Sequence, residues 1–191
     1  NPVQTDDPPG PIDGSRKTAL RTALADRYGA EFPRYTPEDR LFLYPVRSIR
    51  RKNIFEAALI TMLQAVPSAL VVTLPGVSQQ EKRYSAMVTD AFHNGTIPGL
   101  FGIGTTLSEH AIDFAELQRS ADAIISSSVQ EGFGYQYITP LALGLPLIAR
   151  RRKSEQRGPG IPARRGARSR PCPALPVRCC WQGDQTRSGV R

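Results

Sequence analysis

The sequence lacks any apolar run approaching the roughly 18 residues of a membrane-spanning helix, and it does not open with a charged segment followed by an apolar one. These absences indicate neither a membrane-spanning nor a secreted protein. Residues 1–150 also lack cysteine, which suits a reducing compartment, and we expect a cytoplasmic location. The three cysteines, Cys172, Cys179 and Cys180, all follow residue 150. Their odd number, with two adjacent, fits neither a disulfide framework nor the ligand spacing of a zinc site.

Acidic residues are scarce after residue 150, where only Glu155 and Asp184 oppose eleven of the 25 lysines and arginines. Residues 151–191 therefore carry a formal charge of +9, and residues 1–150 carry −1. Because the charge lies outside the patterned region, in a segment with one aromatic residue and no helical period, we do not expect nucleic-acid binding. Rich in Arg, Pro and Gly, this segment is predicted to be a disordered tail. The abrupt change after Arg150 suggests a truncated domain with an unrelated end.

Short apolar runs alternate with helical patterns along the first 150 residues. Strands are predicted at 41–46, 69–74, 97–103, 123–126 and 145–149, and helices at 15–28, 54–65, 78–94, 113–119 and just after Gly134. This alternation is typical of an α/β domain with a Rossmann-like, mostly parallel sheet flanked by helices. We therefore predict a linker and leading helix over 1–40, a truncated α/β domain over 41–150, and the tail over 151–191.

Capping residues predict where several helices begin and end. Ser15 is predicted as an N-cap, and Gly29 as the residue that follows the same helix. Asn53 with Glu56, and Ser78 with Glu81, have the spacing of capping boxes. The helix after Ser78 is predicted to face the core with a stripe of Tyr84, Met87, Val88, Ala91 and Phe92.

Two turns that each follow a predicted strand carry the residues of a candidate site. The first, 47–53, is densely basic, and the second, 131–134, combines a carboxylate with two glycines. Because ligands bind at the carboxyl ends of parallel strands, both turns can share one crevice. Arg and Lys side chains, backbone amides of glycines and a helix N-terminus all favour phosphate groups. The combination predicts a site for a sugar nucleotide, whose diphosphate is a leaving group.

These residues, in their order, resemble the C-terminal donor-binding domain of retaining glycosyltransferases of the GT-B fold, the large family four group. The resemblance covers roughly residues 1–150. It rests on Asn1-Pro2-Val3, on Arg47 and Lys52, on 114–127, on Glu131-Gly-Phe-Gly134 and on 143–149. It implies the incomplete C-terminal half of a GT-B enzyme, here a hexosyltransferase that moves a sugar from a nucleotide diphosphate sugar to an unknown acceptor.

The resemblance also assigns roles to single residues. Arg47 and Lys52 are the implied catalytic residues, since they grip the donor diphosphate and make a metal or other cofactor unnecessary. The implied donor-binding residues are Glu131, Gly132, Phe133, Gly134, Tyr135 and Thr139. The acceptor-binding N-terminal domain, which supplies a catalytic histidine in the family, is absent from this sequence. The chain is therefore expected to bind a donor weakly without turnover, and any membrane association would come through the whole protein.

One departure from the family pattern concerns ribose binding. The family has a second glutamate eight positions after the first, where this chain has Thr139. Thr139 and Pro140 suit the N-cap and first residue of a helix. Alternatively, a helix begun near Gly134 would contain Pro140 in its interior, at a cost of about 3 kcal/mol. His93 and His110 are predicted to be surface or partly buried residues and not catalysts.

Three alternatives remain open at this point. One is another GT-B enzyme, such as a sugar-nucleotide epimerase or a phosphorylase. The others are a degenerate, non-catalytic remnant and a polyanion-binding module that depends on the basic tail.

Overall fold

A parallel sheet of five strands lies at the centre of the part of the chain that the computed structural model describes, residues 12–110, 112–130 and 135–150. Its strands are β1 (Arg40–Arg47), β2 (Ser68–Leu74), β3 (Gly99–Phe101), β4 (Ala123–Ser126) and β5 (Leu147–Ala149). Their order is β3-β2-β1-β4-β5, and every neighbouring pair is parallel. The predicted α/β class with a Rossmann-like sheet is confirmed. The linker residues 1–11 and the tail 151–191 lie outside the described residues and stay predictions.

Five α-helices connect or flank these strands within the described ranges. They are α1 (Gly14–Tyr28), α2 (Ile54–Met62), α3 (Gln79–His93), α4 (Phe114–Ser120) and α5 (Tyr135–Ala142). The rings of Phe55 in α2 and Tyr84 in α3 meet edge to face, 5.8 Å apart, and Arg16 of α1 pairs with Glu116 of α4 at 2.8 Å. The chain moves across the sheet in one direction from β1 to β3 and in the opposite direction from β3 to β4. Because parallel crossovers are right-handed, α2 and α3 cover one face of the sheet and α4 covers the other.

The hydrophobic core explains why the strands are apolar along their whole length. Covered on both faces, β1 and β2 bury Leu41–Tyr44 and Ala69–Val72 to 4% exposure or less. The helices contribute Leu24, Val88 and Leu117, each fully buried. Beside them, Phe92 of α3 stacks on Phe101 of β3 at a centroid distance of 5.6 Å. The apolar runs therefore located the sheet correctly.

Three elements are shorter than their patterns predicted. α2 ends at Met62 and not near residue 65, β3 covers Gly99–Phe101, and β5 covers Leu147–Ala149. At the end of α2, the side-chain amide of Gln64 donates to the carbonyl of Ile60 at 2.8 Å, satisfying an acceptor of the last turn. Leu63, just beyond α2, is 74% exposed. Its apolar side chain therefore does not pack into the core as the predicted longer helix would require.

Two of the predicted N-cap side chains do not cap their helices, although α2 does begin at Ile54 as predicted. Asp13 and not Ser15 is the N-cap of α1, and the Ser15 hydroxyl bonds the Asp13 carboxylate instead of a backbone amide. Asn53 precedes α2 but does not cap it with its side chain; its amide donates to the Glu56 carboxylate while its backbone is left-handed, with φ 50°. Gly29 does end α1, although with right-handed helical angles, φ −61° and ψ −30°.

The capping box before α3 is confirmed. The amide of Glu81 donates to the Ser78 hydroxyl at 3.3 Å, and the amide of Ser78 donates to the Glu81 carboxylate at 3.1 Å. The predicted apolar stripe of this helix is only partly right, because Met87 is 55% exposed. Ser85 is buried in its place, and its hydroxyl accepts a hydrogen bond from the amide of Gly76 at 2.9 Å. The buried face of α3 therefore includes Ser85, which contacts the preceding loop, and does not include Met87.

Replacing Ser78 with alanine should lower the free energy of unfolding by about 1 kcal/mol, since the amide of Glu81 in the first turn of α3 loses the hydroxyl that accepts from it. The matched change Ser15→Ala should cost less than about 0.5 kcal/mol, because that hydroxyl caps no backbone group. Urea denaturation of both variants measures the difference. Equal losses would contradict the assignment of Ser78 as the functioning cap.

Candidate functional site

The strand order brings the two predicted turns to neighbouring positions. β1 lies between β2 and β4, and the sequence order reverses between β1 and β4, which makes this a topological switch point. β4 pairs with β1 in parallel through Phe42 with Ala123 and Leu43 with Ile124. The carboxyl ends of both strands therefore lie at the same edge of the sheet, where open α/β sheets bind their ligands.

The basic turn begins at an irregularity in β1. The pairing with β2 shifts register between Tyr44 and Arg47, around Pro45, which cannot donate a ladder hydrogen bond. Arg47, the last residue of β1, is exposed, and a 3₁₀ turn follows at Arg50–Lys52. Lys52 is 8% exposed and Asn53 adopts the left-handed conformation. The two predicted catalytic cations thus share one turn but differ in their exposure to solvent.

Hydroxyl groups from β1 and from the end of β4 contact the backbone of this turn. The Tyr44 hydroxyl donates to the carbonyl of Lys52 at 2.8 Å, and the Ser127 hydroxyl lies 3.0 Å from that carbonyl and 2.8 Å from the carbonyl of Asn53. The hydroxyls of Tyr44 and Ser128 are 3.0 Å apart. The Val129 amide also donates to the Arg51 carbonyl at 2.8 Å. The basic turn and the segment after β4 are therefore directly bonded to each other.

Most of the predicted donor-binding residues fall outside the described residues. These are Glu131, Gly132, Phe133 and Gly134. The described segment that leads into them ends at Gln130, whose carbonyl is 3.5 Å from the guanidinium of Arg51. Beyond them, Tyr135 is the first residue of α5, where only its backbone is described.

Thr139 lies inside α5 and is half-buried, with Pro140 following it within the same helix. The reading of Thr139 as an N-cap with Pro140 as the first helical residue is therefore wrong, and the interior-proline alternative is correct. Pro140 has no N–H for the carbonyl of Gln136. The helix end is held by other bonds, from the Leu143 amide to the Thr139 carbonyl at 3.0 Å and from the Leu145 amide to the Pro140 carbonyl at 2.9 Å.

A side chain from α3 accepts a hydrogen bond from the first amide of α2. The amide of Ile54 donates to the Tyr84 hydroxyl at 2.9 Å, and burial raises the pKa of that hydroxyl. This amide, at the N-terminus of a helix, is consequently engaged within the protein. Anionic ligands at this edge would meet the cations of the basic turn instead of the first amide of α2.

The carboxylate of Glu81, in the first turn of α3, is influenced by the charge of Arg47. Hydrogen bonds from the Ser78 and Val77 backbones hold the pKa of this carboxyl below its usual value, and the positive charge of Arg47 acts in the same direction. The start of α3 is thus close enough to Arg47 for the two charges to interact. Arg47 itself is exposed to solvent.

Sequence reasoning did not select Arg150, which lies at the same edge. Its amide donates to the carbonyl of Ser126 at 3.0 Å, and its guanidinium pairs with Glu56 in the first turn of α2 at 3.0 Å. A usable signal was present, because Arg150 directly follows an apolar run predicted as a strand. The carboxyl-end rule that selected Arg47 applies equally to Arg150.

The remaining polar features lie away from this edge. His93 ends α3 and pairs with Glu31 at 3.1 Å, while its ring packs against Phe32 at 5.1 Å. A groove of about 490 Å³ lies at the amino ends of β1 and β2, lined by residues including Arg34, Asp39 and Pro98, and it contains no predicted site residue. Within the described ranges, no group of His, Cys, Asp or Glu side chains is arranged to hold a metal ion. Nor is any described helix both long and apolar enough to cross a membrane.

Comparison with known proteins identifies a relative of curated function. The chain is 39% identical over 102 residues to mannosylglucosyl-3-phosphoglycerate synthase of Petrotoga mobilis. The match covers 53% of this chain but 19% of the relative, so the chain spans about a fifth of that protein's length. No protein-family model matches the chain.

Among solved structures, the apo form of the lipopolysaccharide outer core galactosyltransferase WaaB aligns with a TM-score of 0.39 and 13% identity. The alignment covers 59% of this chain and 30% of that one, and a likeness this low supports no conclusion about this chain. The sequence match to the synthase does not depend on it. The predicted resemblance of this chain to a glycosyltransferase is confirmed by that match.

Proposed function

We propose that this chain is the donor-binding portion of a retaining GT-B glycosyltransferase, which transfers a hexose from a nucleotide diphosphate sugar to an acceptor. In that reaction the bond between the sugar's anomeric carbon and the diphosphate breaks, a bond to the acceptor oxygen forms, and the nucleoside diphosphate leaves. The sequence match to a synthase of glycosylated phosphoglycerate supports sugar transfer in general. Retention, the GT-B fold and the donor-only role go beyond what that match supports, and they are part of the proposal.

One observation carries the proposal most directly. Arg47, Lys52 and the segment before Glu131 occupy the carboxyl ends of adjacent strands at the switch point. Negative charge develops on the diphosphate as the sugar leaves, and cations at this edge would stabilise it most in the transition state. Arg47 would bind two phosphate oxygens with its planar guanidinium, and Lys52 would act as a point charge.

The donor's other groups would be bound by the residues around α5. In this proposal Glu131 accepts hydrogen bonds from sugar hydroxyls, because a carboxylate offers only acceptors. Backbone amides of 132–134, with the start of α5 at Tyr135, would bind the phosphates. Thr139 would replace the family's ribose-binding glutamate with a single hydroxyl, which would weaken ribose binding. With two cations at the diphosphate, the proposal requires no metal.

The test is calorimetric titration of the full chain with UDP- and GDP-sugars. The double change Arg47→Ala plus Lys52→Ala should weaken binding by about 100-fold or more, as expected for the loss of two charged contacts. Arg40→Ala is the matched control, because Arg40 is an exposed arginine at the other end of β1, about 23 Å away along the strand. That control should bind as the unmodified chain does. A double variant with unchanged affinity would show that the site is assigned wrongly.

A further inference from the structure

The peptide groups on either side of Asn53 have an unusual set of hydrogen-bond partners. The carbonyl of Lys52 faces two hydroxyls, from Tyr44 at 2.8 Å and from Ser127 at 3.0 Å. The carbonyl of Asn53 faces the Ser127 hydroxyl at 2.8 Å, in addition to the amides at the start of α2. Tyr44 and Ser127 are fully buried. The side chains of Tyr44 in β1 and of Ser127 just after β4 thus bind the backbone of the basic turn.

The backbone that these hydroxyls contact is left-handed at Asn53. Asn53 has φ 50° and ψ 54°, and it is the one described residue other than glycine with positive φ. Such conformations cost free energy and persist where surrounding contacts determine them, often at functional sites. Because Lys52 immediately precedes Asn53, the direction in which the Lys52 side chain leaves the backbone depends on this conformation being kept.

The same hydroxyls also connect the basic turn to the segment that enters the glycine motif. Ser127 and Ser128 directly follow β4, and Ser128 lies 3.0 Å from the Tyr44 hydroxyl. Next along the chain, the Val129 amide bonds the Arg51 carbonyl at 2.8 Å. A displacement of the basic turn would therefore displace residues 127–130 as well.

We propose that Tyr44, Ser127 and Ser128 form a hydroxyl clamp that positions Lys52 for the diphosphate of a nucleotide ligand. The clamp residues are positioning residues, since they act through the Lys52–Asn53 backbone and do not themselves contact the ligand. The inference rests on the proposed donor site and adds the residues that preorganise it. Loss of a clamp hydroxyl leaves buried carbonyls with fewer donors and lets the turn relax from its left-handed conformation.

The first measurement is the affinity of the full chain for UDP and GDP by calorimetry. Tyr44→Phe and Ser127→Ala should each weaken binding about tenfold, which is the loss of affinity expected when one hydrogen bond that holds the site is removed. Tyr35→Phe and Ser120→Ala are matched controls, because they remove buried hydroxyls that bond the carbonyls of Arg21 and Leu117 away from the turn. The controls should leave affinity unchanged even if they lower stability. Equal losses in controls and clamp variants would overturn the proposal.

A second measurement separates positioning from general damage. In a Lys52→Ala background, Ser127→Ala should cause much less than a tenfold further loss of affinity, because the clamp acts mainly through the lysine that is already removed. A further loss of about tenfold there would show that Ser127 acts by another route, and the proposal would be wrong.

Amide hydrogen exchange then keeps the clamp testable apart from the proposed function. If the unmodified chain bound no nucleoside diphosphate, the donor-site proposal would fail, whereas the clamp still predicts faster exchange at Asn53 and Val129 in Tyr44→Phe and Ser127→Ala. The Tyr35 and Ser120 controls should leave these two amides as protected as before. Unchanged exchange in the clamp variants would overturn the clamp whatever the binding data show.

Discussion

Replacing Gly99 with alanine is expected to lower the free energy of unfolding by more than about 4 kcal/mol, a large part of the roughly 5–15 kcal/mol typical of a whole domain. Gly99 begins β3 with φ 138°, a conformation that side chains rarely adopt. A β-carbon there would lie 1.8 Å from the carbonyl oxygen of Leu70 and 2.7 Å from its backbone nitrogen. Leu70 is the register partner of Gly99 in β2 and is fully buried.

The size of this effect follows from the kind of atom that is contacted. A flexible side chain could move aside, but the backbone of a central strand cannot do so without separating β2 from β3. Every route to accommodate the methyl group breaks strand pairing or repacks the core around Phe101, which lies over Phe92. The expected result is a chain that unfolds at much lower urea concentration or is not recovered folded.

Two other glycines make controls that separate strain from collision. Gly144 has φ 65°, but a β-carbon added there would meet nothing within 4 Å, so Gly144→Ala should cost only about 1 kcal/mol from backbone strain. Gly14 has neither positive φ nor a neighbour within 4 Å, and Gly14→Ala should be neutral or slightly stabilising, by up to about 1 kcal/mol. Urea denaturation of the three variants measures the series. A loss at Gly99 no greater than at Gly144 would contradict the collision argument.

Removing the carboxylate of Asp122 is expected to cost about 3 kcal/mol of stability, because a buried cation then loses its ion-pair partner. Asp122 lies just before β4, at the edge of the sheet opposite the candidate site, and accepts from Lys17 at 2.6 Å, from Arg21 at 2.7 Å and from the Leu41 amide at 2.8 Å. Arg21 is 8% exposed, and its Nε has no hydrogen-bond partner among the described residues. In Asp122→Ala this guanidinium stays buried without the charge that opposes it, which is the costly way to break such a pair.

The matched control is the more exposed ion pair between α1 and α4. Arg16 and Glu116 lie 2.8 Å apart with side chains 63% and 22% exposed, so Glu116→Gln should cost less than about 1 kcal/mol. Thermal or urea unfolding of both variants at neutral pH measures the contrast. Similar losses at Asp122 and Glu116 would show that burial of Arg21 does not matter as argued.

The stability contributed by Asp122 should also depend on pH. Burial raises the pKa of this carboxyl, but the hydrogen bonds from Lys17, Arg21 and Leu41 outweigh burial and hold the pKa below its usual value. A carboxyl with a lowered folded-state pKa stabilises fully above its unfolded pKa, about 3.9, and progressively less as pH falls through the folded value. The difference between the unmodified chain and Asp122→Ala should therefore shrink below about pH 4.

The two edges of the sheet thus have different electrostatic arrangements. At the amino ends, Arg21 and Lys17 both pair with Asp122, which connects α1 to the starts of β1 and β4. At the carboxyl ends, Arg47 is exposed and the basic turn adds Arg50, Arg51 and Lys52. This arrangement supports the proposed function, which assigns the anionic donor to the carboxyl ends.

The sequence by itself determined the class of fold and most of its elements. Strands β1, β2 and β4 are apolar along their length because they are buried on both faces, and such runs are visible without any tertiary information. The capping box of Ser78 and Glu81 is equally local, since both partners lie within one turn. The positions of Arg47 at the end of β1 and of Lys52 just after it followed from the same local patterns.

Only the tertiary structure decided the strand order, the left-handed Asn53 and the residues that hold it. Alternating strands and helices are compatible with several orders, and the reversal between β1 and β4 depends on how the connections pack. Asn53 has the sequence of a capping residue, yet its backbone is held by Ser127, 74 residues away, and its neighbour's carbonyl by Tyr44. Local patterns report what a residue can do with its neighbours in sequence, and contacts between distant strands decide which of those options it takes.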